Sequence, residues 1–218
     1  MKFTYKIPCA CGYKVLFSTH GDGPFPEVVC GECGSPAHLM DPLSVSVTAE
    51  RLLYRSNAEL ESGDYSLSIV IGTMAVESFL TRLFLKLKRM DTYATTLSVP
   101  TRDQEEEWKR KLRERGGFAG REGSVGPADF VSNAITGMTF DEFVANNTVA
   151  QRIMATFPDA ANQSAKHYFQ KELFRRRNRI AHWGYVNSTE EEAQRCHTLA
   201  VAIVSILREM DRFKYGAS

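Results

Sequence analysis

The sequence predicts an all-α helical bundle behind a small N-terminal β ribbon, on three observations. Four of the five cysteines fall within the first 33 residues, among glycines, prolines and short apolar stretches. Beyond residue 45 the apolar residues recur at helical intervals and no segment alternates as a strand would. The composition changes near Asp41-Pro42, which divides the chain into a ribbon, 1–42, and a helical domain, 43–218.

The 218 residues carry 43% hydrophobic and 24% charged side chains, the balance of a soluble globular protein. A net charge of +1 gives no global pull toward nucleic acid or membrane, so any electrostatic footprint must be local. Met1–Pro8 lacks the apolar run of a signal peptide. The longest apolar region, Ile69–Leu87, is interrupted by Glu77, Arg82 and Lys86, so no membrane span is expected. A cytoplasmic location follows as the expectation, and in a reducing compartment paired cysteines more often ligate metal than form disulfides.

Cys9-Ala-Cys11 and Cys30-Gly-Glu-Cys33 are two short-spaced thiol pairs, with Gly12, Gly31 and Gly34 beside them for tight turns. Two such turns supply the four soft donors of a tetrahedral zinc site. Four thiolates leave no open position, so the zinc is expected to be structural. A redox dithiol would explain only one pair, and His20 or His38 could replace one thiol. Tyr13–Ser18 and Phe25–Val29 would be the ribbon strands. Cys196, on a helix beside His197, reads as a small core residue.

The helices follow in order. Thr48 would cap the first, with Leu52, Leu53, Ser56 and Leu60 inward and an end near Gly63. Asp64 would start a longer one reaching about residue 90, with Ile71, Met74, Ala75, Ser78, Phe79, Arg82 and Leu83 on its inner face. Apolar residues on its other sides make this helix central, and Gly72 would allow a close helix approach. Arg102–Arg115 reads as a solvated helix anchored by Trp108 and Leu112.

Five glycines between residues 116 and 126 read as a flexible loop, and no Gly-Lys-Ser/Thr follows to make it a phosphate loop. Pro127–Met138 and Asp141–Phe157 would be two shorter helices. Gln163 to about His182 would be another, with Tyr168, Leu173, Phe174 and Ile180 in the core and Gly184 at its stop. Thr189-Glu-Glu-Glu192 would open the last helix as a capping box. That helix turns Leu199, Ile203, Ile206, Leu207 and Met210 inward. His167 reads as a surface residue, His197 as a packed one, and Asp141-Glu142 and Glu105–Glu107 as helix N-terminal charge.

The local footprint lies near the end of the penultimate helix. Arg175, Arg176, Arg177 and Arg179 crowd into five positions, followed by His182. Such a patch suits a polyanion. RNA carries its own nucleophile, the 2′-OH. An imidazole can take or give the proton, and an arginine fork can hold the phosphate and its developing charge. Asn178 precedes His182 by four residues, so on a helix it shares that face. None of this requires a metal.

Arg177-Asn178-x-x-x-His182 resembles the Arg-x(4–6)-His signature of HEPN domains, helical bundles found in bacterial toxins, antiphage systems and eukaryotic ribonucleases. Met74-Ala-Val-Glu77-Ser-Phe-Leu80 resembles the family's first long helix, and the resemblance covers roughly residues 48–215. It implies metal-independent endoribonuclease activity leaving a 2′,3′-cyclic phosphate, at a site formed across a homodimer. It also implies Arg177, Asn178 and His182 as active residues, with Glu77 as a possible polar support. An antitoxin or another defence-system protein is then an expected partner.

Arg175 and Arg176 satisfy the loose spacing as well, and Arg179 adds to the RNA-binding charge. On an ideal helix Arg177 and His182 point about 140° apart. Either the helix breaks before Ala181, or a second subunit completes the site. The competing reading is a non-catalytic module that binds nucleic acid or nucleotide through the same surface, or a protein adaptor.

Overall fold

The computed structural model describes residues 2–8, 14–20, 42–98, 100–120, 124–183 and 187–215. The chain divides into two compact units, Met1–Val47 and Thr48–Ser218.

In the first unit, β1 (Lys2–Pro8) pairs antiparallel with β2 (Lys14–His20), in a register running from Lys2 opposite His20 to Pro8 opposite Lys14. β2 overlaps the expected strand at 13–18. β1 lies outside the expected strands, although Lys2, Thr4 and Lys6 alternating with Phe3, Tyr5 and Ile7 is a strand pattern. The expected strand Phe25–Val29 and the four cysteines expected to bind zinc, Cys9, Cys11, Cys30 and Cys33, lie outside the described residues.

The second unit is helical, and its first helix begins before the boundary at Val47. α1 spans Pro42–Glu61, so Thr48 lies inside the helix rather than capping it. Pro42 opens α1, where proline's missing N–H leaves no intrahelical bond unmade. Of the face expected for α1, Ser56 and Leu60 are buried, whereas Leu52 and Leu53 are half-exposed. α2 runs Tyr65–Thr96, and the Asp64 side chain caps it by accepting from the Leu67 N–H. Its core face holds Ala75, Phe79 and Leu83 as expected, but Ile69, Gly72, Val76 and Leu80 complete it, and Met74 is exposed. α2 has the length and apolarity of a membrane-crossing helix, and more than half of that window is buried in the bundle.

α3 (Arg102–Glu114) is closed by a Thr101/Gln104 capping box and buries Leu112. α4 covers Pro127–Thr136. The expected helix at 141–157 is two helices, α5 (Phe140–Asn146) and α6 (Thr148–Met154). Asn147 adopts an extended conformation between them and caps α6 through its side chain, the chemistry that favours asparagine at a helix start.

α7 (Ala165–Phe169) passes through a π-helical turn, Gln170–Phe174, into α8 (Arg175–Trp183). α9 covers Glu190–Tyr215 and opens on the expected Thr189/Glu192 box, with Leu199, Ile203, Ile206, Leu207 and Met210 fully buried.

α2 and α9 form the central pair. At one crossing, Ser56 of α1 bonds Ser68 of α2 and lies 3.0 Å from Nδ1 of His197 on α9. A Cβ on Gly72 would stand 3.1 Å from the Ser56 Oγ and 3.5 Å from Ala200, so this glycine does let three helices close up.

The glycine segment is not a loose loop where it is described. Gly120 and Gly126 cross backbone to backbone, the Ala128 N–H donates to the Phe118 carbonyl, and Arg115 covers the Phe130 ring at 3.5 Å. At Gly126 no side chain fits the crossing, while Gly116 and Gly120 also turn at φ +88° and +86°, which glycine alone adopts freely.

Candidate functional site

α8 is fastened on three sides. Beneath it, Phe174 stacks on Phe118 at 5.0 Å, and Gln170 accepts the Ala119 N–H at 3.1 Å. The glycine segment therefore holds the π turn from which α8 starts. Within that turn the Arg175 N–H reaches back to the Gln170 carbonyl, one residue further than an α-helix would. Each extra residue in a turn changes the angular phase of everything after it, which sets where the arginines point.

On the α9 side, Arg176 bonds Glu192 at 2.5 Å and Glu172 at 3.4 Å. Glu172 also lies 3.6 Å from Arg195. On the α2 side, Arg177 meets Glu77 at 3.2 Å and donates to the side-chain Oδ1 of Asn178 at 3.0 Å. Burial raises the Glu77 carboxyl above the usual carboxylate range, and the Arg177 charge pulls partly the other way. Ile180 faces inward between the two flanks, half-buried.

The remaining arc faces outward. Arg175, Asn178, Arg179 and His182 are all exposed. Successive residues turn by about 100°, so these four fall within an arc of roughly 100° on the helix surface. Neither Arg175 nor Arg179 has an ion pair among the described residues, and His182 has no hydrogen bond among them. A cleft of about 30 Å³, the size of a water site, opens at the inner edge between Ile69, Arg176, Arg179, Ile180, Ser188 and Glu192.

Thus the structure brings Arg177, Asn178 and Glu77 together, sets Arg175, Arg179 and His182 beside them, and ties Arg176 into carboxylates. α8 is unbroken as far as Trp183, so no break before Ala181 swings His182 toward Arg177. Glu172 carries no role in the sequence reading, and Glu192 figures there only as the end of the Thr189 capping box, not as a partner of Arg176. The first stands four residues before Arg176, a spacing that could have revealed it. Gln170 and Phe118 left no such signal.

Other candidates resolve as structure. Cys196 is fully buried, its thiol pushed up to about 12 by burial. His167 is exposed against Ser164, and Asp141 receives Ser164 and the Lys166 N–H. Among the described residues no group of three or more His, Cys, Asp and Glu side chains gathers as a metal site. No family model matches the chain, and neither a curated protein nor a solved structure does.

Proposed function

We propose that this protein is a metal-independent endoribonuclease of the HEPN kind, a toxin or antiphage effector of the cytoplasm, carrying a structural zinc ribbon at its N-terminus. The observation that carries the reading is the exposed arc of α8. It sets an imidazole, an amide and two arginines side by side, with Arg177 held against Asn178 at the edge.

The chemistry balances on those groups. The 2′-oxygen loses its proton and bonds to phosphorus, the bond to the 5′-oxygen breaks, and that oxygen takes up a proton. The products are a 2′,3′-cyclic phosphate and a 5′-hydroxyl. His182 carries a proton at one end of this exchange, and arginine forks offset the charge on the phosphoryl oxygens. Because Arg177 and His182 diverge on one unbroken helix, a two-fold axis that sets one α8 beside its twin completes the constellation. Leu67 and Met74, exposed on α2 with Glu77 farther along the helix, offer an apolar flank for that interface.

For the ribbon, the register of β1 and β2 ends at Pro8 opposite Lys14, so Cys9 and Cys11 fall in the link between two paired strands. A thiol pair in such a link, with Cys30 and Cys33 as the second pair, fits a four-thiolate zinc. Bound there, the zinc would supply folding energy rather than catalysis.

The test is purified protein and structured RNA in the presence of EDTA. Cleavage should persist, leave cyclic phosphate ends, and fall by ~10²-fold or more in His182→Ala. Cleavage that vanishes on chelation, or survives in His182→Ala, refutes the mechanism. A binding module without catalysis is the second reading, favoured by the fact that nothing orients His182 among the described residues. It predicts RNA or nucleotide binding with no cleavage.

A further inference from the structure

The four arginines of α8 look alike in sequence, but their surroundings divide them into two pairs. Arg176 already lies between the carboxylates of Glu192 and Glu172. Arg177 already lies against Glu77. A phosphate reaching either one must displace a carboxylate, so little net charge is gained there. Arg175 and Arg179 are exposed, four residues apart on one face, and have no carboxylate partner among the described residues. They stand ~6 Å apart along the helix axis, far enough for each fork to take its own phosphate. His182 continues the same face one turn beyond Arg179.

Resting on the ribonuclease reading above, we infer that Arg175 and Arg179 alone grip the RNA backbone, and that Glu77 holds Arg177 out of ground-state binding as a positioning residue for Asn178. The division follows from counterion chemistry. Binding of single-stranded RNA releases cations in proportion to the phosphates newly neutralised, at ~0.7 per contact. An arginine that merely exchanges one anion for another releases none. Arg175 and Arg179 therefore set the salt dependence of affinity, while Arg177, kept in place by Glu77 and bonded to the Asn178 side chain, acts on the rate.

The experiment is fluorescence anisotropy of a labelled single-stranded RNA with the full-length protein across a salt series, with cleavage of the same RNA measured alongside. Arg175→Gln and Arg179→Gln, both at exposed positions, should each flatten the slope of log Kd against log salt by ~0.7 per site. Arg176→Gln should leave the slope unchanged, with circular dichroism confirming the fold. Glu77→Gln frees Arg177 and should steepen the slope by up to ~0.7 while cleavage falls, through kcat rather than KM.

Slopes unchanged in Arg175→Gln and Arg179→Gln overturn the inference. So does a Glu77→Gln protein whose slope and kcat both match wild type. If wild-type protein binds RNA with these slopes but never cleaves it, the grip of Arg175 and Arg179 stands, and the ribonuclease reading falls together with the rate role of Glu77. If it binds no RNA at low salt, both fall.

Discussion

Replacing Gly126 by alanine tests whether the glycine segment is a built crossing. At φ −71° and ψ 168° the residue has a conformation open to any side chain, so contact alone decides the outcome. A Cβ there would lie 2.2 Å from the Ala119 carbonyl carbon and 2.2 Å from the Gly120 nitrogen, where ~3.5 Å is ordinary. Both neighbours are backbone, so the two passes of chain must part by roughly 1 Å or more. That movement strains the bond from Ala128 to the Phe118 carbonyl and draws Phe118 from its packing on Phe140 and Phe174.

Overpacking of this kind costs ~1–3 kcal/mol and the hydrogen bond adds ~1 kcal/mol. The expected loss is thus ~2–4 kcal/mol, a fall in Tm of roughly 5–15 °C for a unit of this size. Urea denaturation followed by circular dichroism gives the number. Gly137→Ala is the comparison, since its φ of +76° is strained but nothing lies within 4 Å of the added Cβ. It should lose only about 1 kcal/mol. If Gly126→Ala is no less stable than Gly137→Ala, the crossing is not what holds the segment. Because Phe118 supports Phe174 directly before Arg175, RNA cleavage should fall with stability in the first variant and not in the second.

The other predictions are brief. Burial lowers the His197 imidazole from its ordinary 6.5, so the unfolded chain takes up that proton first. Stability should be full above about pH 6.5 and decline below it, and His197→Asn should flatten that decline in thermal melts. Elemental analysis should find about one zinc per chain, lost in Cys30→Ser/Cys33→Ser together with order in the N-terminal region. Stoichiometric zinc in that double variant would remove the four-cysteine assignment. Light scattering should give a mass near twice 24.5 kDa, and a monomer that still cleaves RNA would rule out the shared site.

Much of what depends on neighbours within about four positions was legible in the residues, though Thr48, expected as a cap, lies inside α1. Asp64 and Thr189 are caps because each side chain reaches a backbone N–H three residues on, a distance independent of the rest of the fold. The inward stripe of α9 is legible for the same reason, since Leu199, Ile203, Ile206 and Met210 follow the helix period. The crowding of arginines before His182 is equally local. Asn147 carried a local signal too, but the continuous apolar pattern around it masked the break.

The remaining features depend on partners that come from far along the chain. Glu77 lies 100 positions from the Arg177 it holds. Gly126 crosses a backbone whose path no local rule specifies, and Gln170 bonds a loop 51 positions away. The rotation of α2 that buries Ile69 and exposes Met74 depends on which helices pack around it. Which of four like arginines stays uncommitted was settled by where carboxylates from α2 and α9 arrive, since a charge is free or spent only in relation to what packs beside it.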